Sequence, residues 1–528
     1  MKRTILLIIL VVICKTSLFA QNINVSSGTV FDGEPYLAIN PSNAQHIVVA
    51  WMGYLPYNYI VIKTKVSFDG GQTWSNTNYI PHTNPVFGAC DPSLAFDNLG
   101  NVFLCYVDYN VNIDSGAVYV IKSIDGGLHW GVSVEVINAQ SDLGKYPIDR
   151  PWISIDRSGG SYNGNIYITT MPPNIFGPLS PPYHPYFICS VDGGNSFEQW
   201  KYLDTTGWLA GNIIPQPTPF STVSSNGVFY SVFPSWVLSQ NLNPQFILAS
   251  SVNGGISFTY NKIIDYPFNI VVNDTLSKKG FPLIANPSNP NHLVFFNLFK
   301  IHGDADVFMW ESFDGGNTWT DSIRINDDPI SNNRMQDLIW ADFDLDGDLI
   351  VSWRDRRNAS DSTYTTSSEI WGALRHKDSL TFYPNFRISD SIVAYDSILS
   401  YAGNDFMCIE LRNDTLNAVW GDPRNGKLNI WFQRMSFSGI ILSTQQLACE
   451  VIPSILIYPN PINNTVSIEG DKIRQLIIYD MSGKEIIHNN YKKAENKITL
   501  DLGYLLKGVY LINILSEQGF QTGKIIID

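Results

Sequence analysis

The octapeptide Ser67-Phe68-Asp69-Gly70-Gly71-Gln72-Thr73-Trp74 decides the fold of this chain, because the same phrase returns four more times. The later copies occupy residues 123–130, 190–197, 251–258 and 312–319. The Asp or Asn of the phrase lies at positions 69, 125, 192, 253 and 314. Successive positions are therefore 56, 67, 61 and 61 residues apart. Spacings of this size indicate a chain built from repeated supersecondary units.

Turn chemistry accounts for the phrase. The glycine pair provides the positive φ angles of a tight hairpin, the Asp side chain accepts backbone N–H groups, and the aromatic residue packs beneath. The fourth copy has Asn253 in place of Asp, so an acceptor oxygen without a charge satisfies the position. A calcium or ligand site in every turn is the alternative, but repeated blade motifs are normally packing devices.

Each octapeptide follows an apolar strand, and a hairpin with a polar turn precedes that strand, so the repeated unit has four strands. Inner strands are predicted to begin near Pro35, Pro92, Pro151, Pro219, Pro282, Asp337 and Asp405. Seven such sheets arranged radially form an all-β propeller. Residues 23–25 are expected to complete the seventh sheet and close the ring. Six blades are the alternative, because the last two units lack a clean octapeptide.

The N-terminus has the form of an export signal. Lys2 and Arg3 precede an apolar run over residues 5–14, and Leu18-Phe19-Ala20 reads as a cleavage site. Residues 1–20 are therefore predicted to be a secretory signal peptide, followed by the propeller over residues 21–447. No later segment has the apolar length of a transmembrane helix.

Composition excludes one class of partner. The 528 residues are 44% hydrophobic, enough to bury a large core in more than one domain. The 34 basic and 48 acidic residues give a formal charge of −14, which argues against nucleic acid. Cysteines remaining after cleavage would be Cys90, Cys105, Cys189, Cys408 and Cys449, an odd set without metal-binding spacing. Most are expected to be buried strand residues, with at most two disulfides.

A second domain is predicted beyond a linker at residues 448–454. Residues 455–528 contain apolar runs broken by Gly and Asn, which is typical of a small β-sandwich. Tyr458-Pro459-Asn460-Pro461 and the later Gly508-Val509-Tyr510 resemble the C-terminal sorting domain of type IX secretion. The resemblance implies export through the periplasm and outer membrane by that machinery, to a secreted or cell-surface location. An ordinary sandwich serving as a binding module is the alternative.

The octapeptides themselves resemble the Asp-box, or bacterial neuraminidase repeat, of the sialidase superfamily, over about residues 31–435. This resemblance implies the propeller fold. It does not by itself imply catalysis, because the same repeat occurs in hydrolases, lectin-like propellers and sorting receptors. Function is therefore expected on the face opposite the octapeptide turns, where the loops that enter the inner strands lie.

Arginines on that opposite face are candidates for glycan binding, because a guanidinium can bind a sugar carboxylate through two hydrogen bonds. The predicted substrate-binding residues are Arg150, Arg354, Arg357, Arg424 and Trp152. Sialidases, which this region resembles, use an arginine triad, an Asp acid/base and a Tyr nucleophile assisted by Glu. By type and predicted face, the catalytic candidates are Asp91, Asp149, Glu369 and Tyr401.

Two features oppose a sialidase assignment. Gly33-Glu34-Pro35 replaces the Arg-Ile-Pro phrase that sialidases carry at the first inner strand, so an expected arginine is missing. In addition, residues 353–358 and 420–425 are copies of one Trp-x-Asp-x-Arg-Asn phrase. A repeated phrase of this kind indicates that its arginine forms an ion pair that holds the loop in place, which is an alternative to substrate binding. Two hypotheses stay open: a secreted exo-glycosidase cleaving terminal acidic sugars, and a non-catalytic propeller that binds a glycan, glycoprotein or protein at the cell surface.

No cofactor is required by either hypothesis, but one loop is a calcium candidate. The alternating carboxylates of Asp342, Asp344, Asp346 and Asp348 could wrap a calcium ion. The same segment matches the plain hairpin turn at residues 97–100 of the second unit, so a solvated turn is the competing interpretation.

Overall fold

The structure is a computed structural model. It describes residues 21–55, 60–172, 182–211, 219–265, 280–394, 404–437, 456–462, 464–480, 484–516 and 519–527. The chain separates into two compact units, Met1–Ile441 and Leu442–Asp528. The predicted signal peptide and the predicted linker lie outside the described residues. Within those ranges the regular structure consists of β-strands, and no helix that could span a bilayer occurs there.

Seven four-stranded sheets, numbered as blades 1 to 7, make up the first unit. Blade 1 contains β2 (Asp32–Asn40), β3 (Asn43–Tyr54), β4 (Ile60–Ser67) and β5 (Asn78–Tyr79). Blade 2 contains β6 (Gly88–Phe96), β7 (Val102–Tyr109), β8 (Gly116–Ser123) and β9 (Val134–Asn138). Blade 3 contains β10 (Asp149–Ile155), β11 (Ile166–Met171), β12 (Tyr186–Ser190) and β13 (Lys201–Tyr202). Blade 4 contains β14 (Ser221–Val223), β15 (Phe229–Ser235), β16 (Gln245–Ser251) and β17 (Thr259–Asp265).

The remaining blades follow the same order, except that the last blade borrows a strand from the N-terminus. Blade 5 contains β18 (Leu283–Ala285), β19 (Leu293–Phe299), β20 (Asp306–Ser312) and β21 (Ile323–Arg324). Blade 6 contains β22 (Gln336–Phe343), β23 (Leu349–Asp355), β24 (Glu369–Arg375) and β25 (Phe386–Arg387). Blade 7 contains β26 (Cys408–Arg412), β27 (Thr415–Asp422), β28 (Asn429–Ser436) and β1 (Ile23–Asn24).

The blades form a closed ring. Each inner strand packs against the inner strand of the next blade, and β26 of blade 7 packs against β2 of blade 1. Ile23 pairs with Phe432, so β1 completes the seventh sheet as predicted. The seven-bladed propeller is confirmed, and the six-bladed alternative is wrong.

The octapeptides form the turns between the third and fourth strands. Ser67 Oγ accepts the Gly71 N–H at 2.7 Å, and Asp69 Oδ1 accepts both the Ser67 hydroxyl and the Thr73 N–H at 2.8 Å. Asn253 Oδ1 accepts the Ser251 hydroxyl at 2.9 Å in the fourth copy. The predicted turn chemistry is therefore present with and without a charge.

The turns also join neighbouring blades, which the sequence did not reveal. The second glycine of each turn packs on the preceding blade: a Cβ at Gly71 would lie 2.3 Å from Phe432, and one at Gly255 would lie 2.1 Å from Phe187. The closing aromatic residue packs the same way, since Trp74 and Phe432 have ring centroids 5.3 Å apart. We call the side of the ring that carries these turns the turn face, and the opposite side the entrance face.

Aromatic side chains fill the ring axis between the two faces. Trp152 lies 4.4 Å from Phe220, 5.5 Å from Trp340, 5.5 Å from Phe406 and 5.8 Å from Tyr36, measured between ring centroids. These five residues, here called the aromatic plug, come from blades 1, 3, 4, 6 and 7. The middle of the axis is therefore a packed aromatic core.

The second unit is a single hydrogen-bonded sheet of five strands. Its strands are β29 (Leu456–Tyr458), β30 (Thr465–Tyr479), β31 (Glu485–Asp501), β32 (Gly508–Ser516) and β33 (Gly519–Ile527). The long β30 pairs with β29, β31 and β32, and register shifts after Glu469 and Ile473 bend it. Its alternate side chains Val466, Ile468, Ile473, Leu476 and Ile478 are buried in one core. The predicted all-β class is confirmed here too.

Candidate functional site

The inner strands of four blades begin with a bulge that places an unusual backbone conformation on the entrance face. Register shifts occur after Gly33, Cys90, Asp149 and Asp337, the first residue of each shift. The next residues, Glu34, Asp91, Arg150 and Leu338, have φ angles of 52°, 54°, 45° and 60°. Positive φ angles in non-glycine residues cost energy and collect at functional sites. Three of these four residues are ionisable.

The bulges of blades 1, 2 and 3 bring Glu34, Asp91, Asp149 and Arg150 to the ring axis, where Asp405 of blade 7 joins them. These five ionisable residues are here called the entrance cluster. Arg150 of blade 3 reaches across the ring to pair with Asp405, which precedes β26 of blade 7. Its guanidinium also lies 3.5 Å from the Asp149 carboxylate. The Arg150 backbone N–H donates to Asp91 Oδ2 at 3.2 Å. One arginine thus organises carboxyl groups from blades 2, 3 and 7.

Four carboxyl groups surround one guanidinium, so the cluster can be relieved of its excess negative charge by binding protons. Burial, followed by the repulsion and hydrogen bonding of Asp91, raises the pKa of Glu34 well above its usual value. Burial also raises the pKa of Asp149 to about 8, although Arg150 opposes the shift. Both shifts favour the protonated carboxyl group over the carboxylate.

Two atoms of the entrance cluster are buried and unpaired within the described residues: Glu34 Oε2 and Arg150 Nε. Buried polar atoms without partners are rare and carry a free-energy cost. Next to the cluster, the Cys90 thiol lies 3.4 Å from the Tyr109 hydroxyl, and burial raises the pKa of this thiol. The site thus combines protonated carboxyl groups with unused hydrogen-bonding capacity.

Arg354 contributes to a different arrangement. Its Nε and Nη2 donate to the two carboxylate oxygens of Asp337 at 2.8 and 2.5 Å, and the Tyr364 hydroxyl donates to Asp337 at 2.9 Å. Arg356 adds a second guanidinium 3.2 Å from Asp337. Arg354 is buried and already opposes a carboxylate.

Arg357 and Arg424 each form an ion pair with the Asp two residues earlier in the chain. Such loop-fixing ion pairs were one of the two interpretations of the phrase that these arginines share. Trp353 Nε1 donates to Asp355, which accepts the Arg357 backbone N–H at 2.7 Å. The Arg357 guanidinium pairs with Asp355 at 2.9 Å and lies 4.0 Å from the centroid of the Trp371 ring. In blade 7, Arg424 pairs with Asp422 at 2.6 Å and lies 4.2 Å from the Trp431 ring.

The other candidates fall in three places. Trp152 belongs to the aromatic plug and is buried. Glu369 lies on β24, the third strand of blade 6, where it accepts hydrogen bonds from Asn358 at 2.7 Å and Arg387 at 2.8 Å. Tyr401 lies outside the described residues. Of the candidate set, the structure brings Asp91, Asp149 and Arg150 together.

The calcium candidates use their oxygens within the protein. Asp342 accepts from Arg412 at 3.0 Å, Asp344 from the Asp414 N–H at 2.8 Å, Asp346 from Lys377 at 3.0 Å and Asp348 from the Lys377 N–H at 2.8 Å. In the part of the chain that the structure describes, no three His, Cys, Asp or Glu side chains are arranged to hold a metal ion. Calcium binding by this loop stays a prediction.

Sequence reasoning missed Glu34 and Asp405 as site residues. A signal for Glu34 was present, because Glu34-Pro35, Asp91-Pro92 and Arg150-Pro151 place an ionisable residue before the proline of three successive inner strands. The cysteines fit their expected role: Cys105, Cys189 and Cys408 are buried strand residues, and Cys90 is half-buried, all four with free thiols.

Residues 456–528 match the family model described as "Secretion system C-terminal sorting domain". The second unit is therefore a sorting domain of type IX secretion, and the protein is exported to the outside of the cell or to its surface. No curated protein matches the chain.

Several solved structures resemble the chain at low identity. A protein of unknown function from Dyadobacter fermentans is 16% identical, with 67% of this chain and 96% of that chain covered and a TM-score of 0.42. The alpha-L-arabinofuranosidase Arb93A from Fusarium graminearum is 12% identical, with 80% and 99% covered and a TM-score of 0.44. The NanB sialidase from Streptococcus pneumoniae is 14% identical, with 80% and 70% covered and a TM-score of 0.39.

Proposed function

We propose that this protein is an exported glycoside hydrolase whose entrance cluster supplies the acid and base. One observation carries the proposal: strand bulges place Asp91, Asp149 and Arg150 together at the entrance end of the propeller axis, where burial raises the pKa of Asp149. Glycoside hydrolysis uses two carboxyl groups, one that protonates the leaving oxygen and one that acts as base or nucleophile.

In this scheme Asp149 is the general acid. Burial keeps it protonated, and about a fifth of its side chain, 19%, remains exposed to a substrate. Asp91 is the partner carboxylate, held in place by the Arg150 N–H. Arg150 is a positioning residue, because its guanidinium contacts Asp149 and Asp405.

The charge balance favours a neutral sugar over the acidic sugar expected from the sequence. A substrate carboxylate would have to compete with Asp405 for Arg150, in a cluster that holds four carboxyl groups and one guanidinium. The other three predicted arginines already oppose Asp337, Asp355 and Asp422. Like charges brought together in a partly desolvated site repel strongly.

The test is sugar release from a panel of fluorogenic glycosides: neutral pentosides and hexosides, a uronide and a sialoside. We expect release from a neutral glycoside, and a loss of kcat of at least about 100-fold in Asp149→Asn, the usual size of a general-acid contribution. Asp327→Asn is the matched control, because Asp327 also pairs with an arginine, Arg357 at 2.7 Å, but lies outside the cluster.

Two outcomes would contradict the proposal. Full activity in Asp149→Asn would remove the assigned acid. Glycan binding on an array, without release from any glycoside in the panel, would identify the protein as a non-catalytic binding propeller. Release confined to the sialoside or uronide would return Arg150 to the role of a carboxylate ligand.

A further inference from the structure

The turn face of the propeller has an opening at its axis. It is a cavity of about 380 Å³ lined by residues of all seven blades. Tyr36, Phe220 and Trp340 of the aromatic plug line it. The plug stands between this cavity and the entrance cluster, since Trp152 packs on Phe220 and follows Arg150 by two residues. The cavity is therefore distinct from the proposed active site.

Four charged side chains line this cavity: Arg157, Asp342, Glu410 and Arg412. Arg412 uses both terminal nitrogens within the protein, because they lie 3.0 Å from Asp342 and 3.2 Å from Glu410 and Nη1 donates to the Leu411 carbonyl at 2.6 Å. Its buried Nε has no partner among the described residues. Asp342 also accepts the Leu411 N–H at 2.9 Å, and Glu410 accepts the Ile39 N–H at 3.2 Å. Asp342, Glu410 and Arg412 thus form one hydrogen-bonded network.

Arg157 stands apart from that network. Its side chain is exposed to solvent although protein surrounds it, and among the described residues no hydrogen bond or ion pair engages its guanidinium. A guanidinium carries five N–H donors, so Arg157 can donate to a ligand in the cavity.

We propose that this cavity binds a small monocarboxylate whose carboxylate pairs with Arg157 and whose ring packs against the aromatic plug. The planar guanidinium can accept a carboxylate through two parallel hydrogen bonds. Because Asp342 and Glu410 share the cavity with Arg157, a monoanion meets less repulsion there than a dianion such as phosphate does. The volume lies within the range of small-molecule pockets.

The experiment is calorimetric titration of the full mature chain with benzoate and glucuronate, two ring-bearing monocarboxylates. Benzamide provides the neutral control for benzoate, and inorganic phosphate provides the dianionic control. We expect saturable binding of at least one monocarboxylate, at least tenfold weaker binding of benzamide than of benzoate, and no comparable binding of phosphate. Quenching of tryptophan fluorescence, through Trp340, should follow the same titration.

Substitutions then locate the site. Arg157→Gln should weaken binding at least tenfold, and Arg157→Lys should give an intermediate loss because it keeps the charge without the planar fork. The control is Arg434→Gln, since Arg434 contacts Gln45 near the outer octapeptide turn of blade 1 and not the cavity. Unchanged unfolding midpoints would show that the variants fold.

The proposal would be overturned by equal affinity of wild type and Arg157→Gln, by equal binding of benzoate and benzamide, or by no binding of either monocarboxylate at millimolar concentration. Phosphate binding as tight as carboxylate binding would also overturn it. Sugar release should be the same in Arg157→Gln as in wild type, so the outcome does not depend on the proposed hydrolase activity.

Discussion

At the scale of single residues, the proton on Asp149 governs the expected pH dependence. Its pKa of about 8 predicts that kcat/KM for the preferred glycoside falls as pH rises through that value, because the general acid is then ionised. Measuring kcat/KM from pH 5 to pH 10 tests this decline. A profile flat to pH 10 would contradict Asp149 as the acid.

The same residue affects stability, with a sign that follows from proton binding. The unfolded chain releases this proton near the usual Asp value of about 4, whereas the folded chain keeps it up to about 8. Between these values the folded state binds more protons, so stability declines as pH rises. Asp149→Asn removes the contribution of this proton to the pH dependence of stability. We therefore expect the melting temperature of the variant minus that of wild type to increase from pH 5 to pH 9. A constant or falling difference would contradict the shift.

The entrance cluster was only partly predictable for a reason visible in single residues. Asp91, Asp149 and Arg150 could be found because the loops entering inner strands have a known face. The pairing of Arg150 with Asp405 joins positions 255 residues apart, so it depends on how blades 3 and 7 face each other across the ring. The pairs Asp355–Arg357 and Asp422–Arg424 span two residues, and a repeated phrase was enough to indicate them.

At the scale of elements, the octapeptide turn works as a joint between blades. Gly255 has a φ of +84° and lies where a Cβ would be 2.1 Å from Phe187 of the preceding blade. Gly426 has a similar φ of +80°, but nothing lies within 4 Å of its Cβ position. Substitutions at both glycines cause the same backbone strain, but only a substitution at Gly255 would also disturb the contact with the preceding blade.

We expect Gly255→Ala to destabilise the propeller more than Gly426→Ala does. Alanine at a positive φ costs about 1 kcal/mol at either position, and overpacking against Phe187 adds about 1–3 kcal/mol in the first variant alone. Urea unfolding followed by tryptophan fluorescence measures the difference. Equal midpoints for the two variants would mean that the turn does not join blades in the way described.

The strands were predicted well because each unit repeats the same local chemistry. Proline at three inner-strand bulges and the Ser-x-Asp-Gly-Gly turn recur along the chain and need no long-range information. The packing of each turn on the preceding blade was not predicted, since no sequence pattern states which aromatic residue of a neighbour a glycine will meet. Phe432 under Gly71 is 361 positions away from it, as the residue numbers show.

At the scale of the whole molecule, one short strand closes the ring. β1 supplies the outer strand of blade 7, and the residue before it, Asn22, joins blades 6 and 7. The Asn22 amide donates to Gln433 at 2.9 Å, while its oxygen accepts the Asp390 N–H at 2.7 Å. Cleavage after Ala20, as predicted, would leave this closure at the extreme start of the exported chain.

Asn22→Ala should weaken the contact between blades 6 and 7. Asn22 is buried, and its loss leaves Gln433 and the Asp390 N–H without partners, at an expected cost of about 1–3 kcal/mol for each group left unsatisfied. Ser27→Ala is the matched control, because Ser27 is exposed and follows the same strand. Urea midpoints measure the loss, and hydrogen exchange should show faster exchange at Val25, whose N–H donates to the Ile430 carbonyl at 2.9 Å. If the midpoint and the Val25 exchange rate both match those of Ser27→Ala, the ring does not depend on its closing strand.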